Sequence, residues 1–259
     1  MTDKRGYPVA IEPRHSPIRV SCFECPLRHM KRFRPFTESE LEFVSTFKRG
    51  ELVADPGTTV LVEGARSAHL YTVLSGWGFR YKILEDGRRQ ILNYIVPGDM
   101  IGLQGAVMAE MQHSVEALTP MTLCVFERSR LFSLFELHPG LSFDLTWLAA
   151  REECILDEHL LSIGRRSALE RASYLLAFLF DRGMNAGILG DNHRHIPVTQ
   201  MHFADTLGLS IVHTNKTLKK LADRGLIRWR ERGCDIVDPL GLQEISGWTP
   251  AEQRVRPFI

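Results

Sequence analysis

Basic and polar side chains between residues 199 and 233 have the chemistry that binds nucleic acid. Seven lysines and arginines lie between His213 and Gly233 against two acidic residues, a local excess of five positive charges in a chain whose net charge is +1. The phosphate backbone of DNA attracts such a cluster, and a polar, basic helix suits the major groove. We therefore predict a DNA-contacting surface here, against the alternative of a charged helix that only faces solvent.

Two helices joined by a tight turn are predicted to position that surface. Thr199 is the predicted N-cap of a first helix that ends near Leu207, and Ser210 is the predicted N-cap of a second helix that ends near Arg224. Gly208 supplies the turn between them. The predicted core consists of Phe203, Ala204, Leu207, Leu209, Val212, Leu218 and Leu221, and the predicted outer face of the second helix consists of Ile211, His213, Thr214, Asn215, Lys216 and Lys219.

A β-hairpin is predicted over residues 226–237, directly after the second helix. Apolar and basic residues alternate there, and the chain turns at Arg232-Gly233. Two helices followed by such a hairpin predict a winged helix-turn-helix.

The cysteines are the second group with distinctive chemistry. Cys22 and Cys25 form a Cys-x2-Cys motif followed by His29, and the other three cysteines are spread over the rest of the chain. An odd number at such wide spacing is not typical of a disulfide framework. Thiolates and imidazoles at short spacing bind zinc or iron, so a metal site is one hypothesis and free thiols are the other.

Composition predicts two modest globular domains, since the 259 residues are 44% hydrophobic and 24% charged. The chain has no run of about 18 apolar residues, and its first ten residues lack the apolar stretch of a signal peptide, so we expect a cytoplasmic protein without a membrane span. No nucleophile elbow, phosphate-cradling loop or His-Glu-x-x-His motif predicts an enzyme. His193 and His195 have only Asp191 beside them, which argues against a metal site there.

The region from about residue 51 to residue 126 predicts an antiparallel β-roll or barrel. Phe79, Tyr81 and Ile83 alternate with polar residues, and Asp86-Gly87 marks a hairpin between two strands. Glycine-containing turns recur throughout this region, as is typical of many short strands. A short helix is predicted before it, with Thr37 and Glu40 as its capping box.

A long helix is predicted after Pro139, because residues 141–163 contain neither proline nor glycine. Leu141, Leu148 and Ile155 recur every seven residues, and further apolar residues widen that stripe. One flanking roll does not need so much apolar surface, so a second copy of the chain is predicted to cover it. The alternative is a helix that packs only within its own chain. A further helix is predicted from about residue 167 to residue 182, followed by a connecting loop.

With these elements in order, the chain resembles the Crp/Fnr superfamily of transcription regulators. The segment TQMHFADTLGLSIVHTNKTLKKLADRGLI resembles that family's helix-turn-helix, and LVEGARSAHLYTVLSGWGFRYKILEDGRRQILNYIVPGDMIG resembles its β-roll. The resemblance implies an α+β fold: an N-terminal arm with the Cys-x2-Cys motif (1–33), a cyclic-nucleotide-binding-like β-roll (34–137), a dimerisation helix (138–165), a winged helix-turn-helix (166–248) and a tail (249–259). It implies a homodimer on a palindromic operator, with two half-sites about one helical turn apart.

The resemblance also locates an effector pocket, where this sequence departs from the family. Members that bind cyclic nucleotides follow a Gly-Asp-x-x-Gly stretch with a Glu that holds the ribose, and later use an Arg that neutralises the phosphate. Here Gly102 is followed by Leu103, and His113 precedes Ser114 at the Arg position. Without that guanidinium the phosphate loses its charge-assisted partner, so no useful binding of cyclic AMP is expected.

The N-terminal arm resembles the oxygen-sensing Fnr branch, whose cysteines hold a [4Fe-4S] cluster. Cys22 and Cys25 match the first pair and Cys124 matches the distant cysteine of the roll, but the next thiol is expected near position 31, which is a lysine. Three thiolates make an incomplete set of ligands, which His29 or Cys154 would have to complete for a cluster or zinc. We favour free thiols and no cofactor, and keep a redox- or oxygen-sensing regulator using Cys22, Cys25 and Cys124 as the alternative.

The recognition helix departs from the family as well. Where many members have Glu-x-x-Ser-Arg or Glu-x-x-Gly-Arg, this chain has Val212, Asn215 and Lys216, so its half-site should differ from theirs. The predicted interface consists of Thr199, Ser210, Ile211, Val212, His213, Asn215, Lys216, Lys219 and Arg230. Double-stranded DNA and a second copy of the chain are the expected partners, with RNA polymerase if the protein is an activator.

Overall fold

The computed structural model describes residues 20–230, 232–250 and 255–259. The α-helices are α1 Glu38–Phe47, α2 Leu103–Met108, α3 Leu131–Leu137, α4 Pro139–Arg165, α5 Ala168–Asn185, α6 Gln200–Leu207, α7 Ile211–Asp223 and α8 Pro239–Ser246. The strands are β1 Lys48–Ala54, β2 Thr59–Leu61, β3 His69–Ser75, β4 Gly78–Ile83, β5 Arg89–Ile95, β6 Met100–Ile101, β7 Ser114–Ala117, β8 Met121–Glu127, β9 His195–Ile196, β10 Ile227–Arg230 and β11 Gly233–Ile236. Residues 1–19 of the predicted arm lie outside the described residues.

The first eight strands form the predicted antiparallel roll from two four-stranded sheets. The sheets have the strand orders β1-β8-β3-β6 and β2-β7-β4-β5. Their facing side chains share one core that includes Leu61, Val73, Val115 and Leu123. The turn between β3 and β4 requires glycine, because Gly76 has a φ of +90° and a Cβ there would lie 2.3 Å from the carbonyl oxygen of Pro120.

Strands β4 and β5 use their other face to contact the C-terminal half of the chain. Phe79 and Tyr81 belong to a core shared with α5 and with Phe203 of α6, not to the core inside the roll. The predicted alternation of buried and polar residues in this strand is therefore present, but its buried residues pack between the two halves of the chain and not inside the roll. Ile83, the third residue of the pattern, is exposed because it lies at the outer end of the strand, next to the Asp86-Gly87 turn.

The two helices flanking the roll begin as predicted. At α1, Thr37 Oγ1 accepts from Glu40 N at 3.2 Å, and the Glu40 carboxylate accepts from Thr37 N at 2.8 Å. The 27-residue α4 buries Leu141 and Leu145 against α1 and the roll. Helix α5 begins at the predicted position, with Ser167 as its N-cap, and runs past the predicted end at residue 182 to Asn185.

Residues 255–259, which we name the returning segment, come back from the C-terminal half to the roll. Arg256 pairs its backbone with the arm, donating from N to Arg32 O at 2.9 Å and accepting at O from Arg34 N at 2.8 Å. Phe258 is buried between Phe33 and Phe36. The last residues of the predicted tail, Phe258 and Ile259, therefore pack into the core around α1 and α4.

Candidate nucleic-acid interface and adjoining cavity

Helices α6 and α7 form the predicted helix-turn-helix. Thr199 Oγ1 accepts from His202 N at 3.3 Å, and Ser210 Oγ accepts from His213 N at 3.3 Å, so both predicted N-caps are confirmed. Gly208 ends α6 with a φ of +64°, the left-handed conformation that the sharp turn requires. Phe203, Leu207, Leu218 and Leu221 fill the space between the helices and the strands behind them.

The outer face of α7 carries polar and basic groups into solvent. Val212, His213, Asn215, Lys216, Lys219 and Lys220 are all exposed, and Ile211 is half-buried. Among the described residues none of these lysines has an ion-pair partner, so their charges are available to phosphates.

Two details of the predicted helix face were wrong. Val212 was predicted in the core but is 61% exposed, whereas Thr214 was predicted outside but is fully buried. Both follow from the helical repeat, because Thr214, Thr217, Leu218 and Leu221 form the buried stripe of α7, and Val212 lies on the opposite side. Val212 therefore belongs with the outward residues.

The predicted wing is present as a three-stranded sheet with the order β10-β11-β9. Trp229 packs edge-on against Phe203, which fixes the wing to α6. Arg230 on β10 is exposed but forms an ion pair with Asp235, which also accepts from His195 Nδ1 at 2.8 Å. The Arg230 and His195 contacts hold the pKa of Asp235 below its usual value despite desolvation, so the carboxylate stays charged.

A contact that the sequence did not predict joins the helix-turn-helix to the roll. Arg89 of β5 lies over the Phe79 ring and pairs with Asp205 of α6 at 2.8 Å. One residue further along α6, Thr206 Oγ1 lies 2.9 Å from the Tyr94 hydroxyl. These contacts place α6 directly on the β4–β5 hairpin while leaving α7 exposed.

A cavity of about 280 Å³ lies between the roll and α4. It is lined by Arg80, Asp99, Met100, Ile101, Gly102, Leu103, Gln104, Val107, Met108, His113, Leu148, Ala149, Arg151 and Glu152. Three of the four predicted pocket residues thus lie together, whereas Ser114 is not among the lining residues and instead accepts from Glu63 N at 3.0 Å. Burial and the charges of Arg80 and Lys82 lower the pKa of His113 to about 4, so the imidazole is neutral at pH 7. The sequence did not single out Arg80, Arg151 or Glu152, because their spacing matches no motif.

The arm thiols lie near a buried ion pair. Lys48 Nζ donates to Glu51 Oε1 and to Val20 O, both at 2.8 Å. Burial raises the pKa of Cys22 and raises that of Cys124 to about 12, so both remain thiols at neutral pH. Within residues 20–230, 232–250 and 255–259 no group of three or more Cys, His, Asp or Glu side chains is arranged to hold a metal. The residues therefore do not fit an iron–sulfur cluster, and the redox-sensing alternative is not favoured.

No helix within the described part of the chain is long and apolar enough to span a membrane.

Comparison with known proteins covers both halves of the chain. Residues 51–138 match the family model of the cyclic nucleotide-binding domain, and residues 171–245 match that of the Crp-like helix-turn-helix domain. The nitrogen fixation regulation protein FixK of Rhizobium meliloti is 32% identical over 214 residues, which are 82% of this chain and 90% of that protein. The transcriptional activator protein FnrL of Cereibacter sphaeroides is 26% identical over 87% of this chain and 92% of its own. The structure of FixK2 from Bradyrhizobium japonicum shares the fold with a TM-score of 0.67 at 22% identity, covering 77% of this chain and 98% of that one.

Proposed function

This chain belongs to the Crp/Fnr family of transcription regulators and binds DNA through its helix-turn-helix, and from that premise we propose that it acts as a homodimer on a palindromic operator. The observation that carries the proposal is the bare, basic face of α7. A groove-reading helix needs charges that are not already neutralised within the protein, and α7 has them.

Contacts to DNA divide into two kinds. We propose that His213, Asn215 and Lys216 reach base edges, because their side chains lie on the exposed face of α7 within its first two turns. Lys219 and Arg230 lie near phosphates, and Ser210, Ile211 and Val212 line the groove. Thr199, at the start of α6, faces the phosphate backbone of the DNA. Arg230 has to share its guanidinium between a phosphate and Asp235, so its contribution is smaller than that of an unpaired cation.

The second copy is proposed to pack along α4. The predicted stripe of Leu141, Leu148 and Ile155 is buried within the chain, so a different row of α4 is free for the second copy. On the side of α4 away from the roll lie Phe143, Trp147, Ala150, Cys154 and Leu161, with spacings of four, three, four and seven residues. Phe143 is 69% exposed, and Leu160, next to Leu161 of this row, is 71% exposed. Large apolar side chains exposed together on one surface are typical of an interface with another protein chain. Burying this row against its symmetry mate sets the two α7 helices at successive turns of the duplex.

One further partner is proposed from the regulatory role of the protein and not from a contact in the structure. RNA polymerase is a partner if the protein activates transcription, and the cytoplasm is the place where such a regulator meets DNA. The proposal assigns the chain no catalytic reaction, and the relatives it matches are themselves transcription regulators.

The cavity that contains Gly102, Leu103 and His113 is the proposed effector site, with Ser114 behind it. Two of the contacts that hold a cyclic nucleotide in the family are missing from this lining. Leu103 offers no acceptor to a ribose hydroxyl, and the neutral, buried His113 offers no positive charge to a cyclic phosphate. Calorimetry with cyclic AMP is expected to show no binding at micromolar concentration, and micromolar binding would refute this assignment.

Selection of bound DNA from a random library tests the central proposal. Full-length protein purified with and without oxygen is expected to enrich a two-fold symmetric site with half-sites about one helical turn apart. A protein that stays monomeric and enriches no sequence in either preparation would overturn the proposal.

A further inference from the structure

Four arginines meet where the roll, α4, α5 and the returning segment come together. Arg182 of α5 and Arg256 of the returning segment both bond to Asp99, the second through Nη1 to Oδ1 at 3.1 Å. Arg80 of β4 bonds to Glu152 of α4. Arg151 of α4 completes the group, because the pKa of its guanidinium is lowered to about 9 by burial and by the charges of Arg182 and Arg256.

The carboxylates of this group are already used. Asp99 Oδ2 accepts from Val96 N at 2.8 Å as well as from Arg182, and Oδ1 accepts from Arg256. Glu152 accepts from Arg80 and, at 3.2 Å, from Asn93. Asp181, the remaining carboxylate near Arg151 and Arg182, accepts from Asn185 at 2.9 Å. Four guanidiniums therefore face three carboxylates, and positive charge is in excess.

Arg151 is the member left without a partner. Its guanidinium lies over the Trp147 ring, 5.7 Å from the centroid, and within the described residues it makes no hydrogen bond or ion pair. It lines the cavity between the roll and α4, whose remaining wall is mostly apolar: Met100, Ile101, Leu103, Val107, Met108 and Leu148. A half-buried guanidinium with free donors, set among apolar side chains, is placed to meet an anion.

We propose that this cavity binds a small organic anion, whose charged group meets Arg151 and whose apolar body lies against the leucine and methionine side chains. The inference rests on the proposed effector site and names its ligand class. The charge-reading group comes from α4 instead of from position 113 in the roll. The volume of about 280 Å³ lies just below the range of about 300–1,000 Å³ for drug-sized ligands, which favours a compact molecule.

Benzoate and its neutral analogue benzamide separate charge from shape. We expect benzoate to bind the full-length protein in calorimetry at constant ionic strength, and benzamide to bind at least tenfold more weakly. R151Q should weaken benzoate binding at least tenfold, whereas R165Q, which removes an exposed arginine from the same helix, should bind as the wild type does. A149F, which adds bulk to the cavity wall without changing charge, should also abolish binding.

Several outcomes overturn the inference. Equal binding of benzoate and benzamide would remove the role of charge, and wild-type affinity in R151Q would remove the role of Arg151. If R151Q fails to fold, A149F decides, since unchanged binding would place the ligand elsewhere. Absence of binding by benzoate, hexanoate and inorganic phosphate alike would also overturn it. Because DNA selection by the wild type is measured separately, an enriched operator with no anion binding would refute this inference and leave the proposed function intact.

Discussion

Positive charge is used in opposite ways on α7 and at the junction around Asp99. The lysines of α7 are exposed and unpaired, so they cost the folded protein little and remain available to a partner. Arg182 and Arg256 are buried and depend on one carboxylate for compensation. Basic side chains are therefore placed to bind DNA on α7, whereas around Asp99 they hold the two halves of the chain together.

Removing the shared carboxylate should have the largest effect. D99N leaves two buried guanidiniums without their counter-charge, and we expect it to lower the free energy of unfolding by about 3–5 kcal/mol, measured by urea denaturation. D86N is the matched control, because Asp86 pairs with Arg88 in an exposed turn. Equal stability of D99N and the wild type would show that the junction does not depend on this charge.

The buried histidines should make the folded protein sensitive to acid. His159 donates to or accepts from the Tyr174 hydroxyl at 2.7 Å, and burial lowers its pKa to about 4. Between pH 6.5 and pH 4 this histidine binds a proton in the unfolded chain but not in the folded chain. The free energy of unfolding therefore keeps the whole contribution of this group above pH 6.5 and loses up to about 3 kcal/mol as the pH falls to 4.

The variant H159Q isolates that contribution. It should show a shallower fall of unfolding free energy between pH 6.5 and pH 4 than the wild type, whatever its stability at pH 7. Parallel pH profiles for the two proteins would assign the acid sensitivity to other groups.

On the exposed side of the comparison, K216A should affect specific DNA binding. Loss of a base contact is expected to weaken binding to the selected operator by about 1–3 kcal/mol, with little change on random DNA, in a fluorescence anisotropy titration. An unchanged ratio of operator to random affinity would contradict the base-reading role of Lys216.

The smallest expected effect is that of K219A. A lysine that contacts only a phosphate releases about one counterion, so the slope of log affinity against log salt should fall by about one, equally on operator and random DNA. K82A, on the roll, is the control that should leave the slope unchanged. A sequence-dependent loss in K219A would move Lys219 to the base-reading group.

Local signals in the sequence predicted much of this fold. The caps at Thr37, Thr199 and Ser210 and the turn at Gly208 were readable because each depends on neighbouring residues. Contacts between distant segments were not. The residues near Asp99 in the sequence do not predict that Arg182 and Arg256 bind it, since these arginines lie 83 and 157 residues away.

The candidate site was likewise predictable where it depends on local sequence and not where it depends on distant segments. Periodicity identified the basic face of α7, but the polarity of the single side chains misplaced apolar Val212 and polar Thr214, which lie on the exposed and buried faces respectively. The roll position of the cavity was found through Gly102 and His113. Its α4 wall was missed, because Leu148 and Arg151 read as ordinary residues of a helix that covers the roll.

The returning segment also bears on how the protein opens. A strand-like contact between residues 33 and 256, with Phe258 seated beside α1, ties the far end of the chain to its beginning. Local unfolding of the roll alone or of the winged helix alone must first break this contact. Amide hydrogens in β3 and in α5 should consequently exchange with deuterium as one cooperative unit.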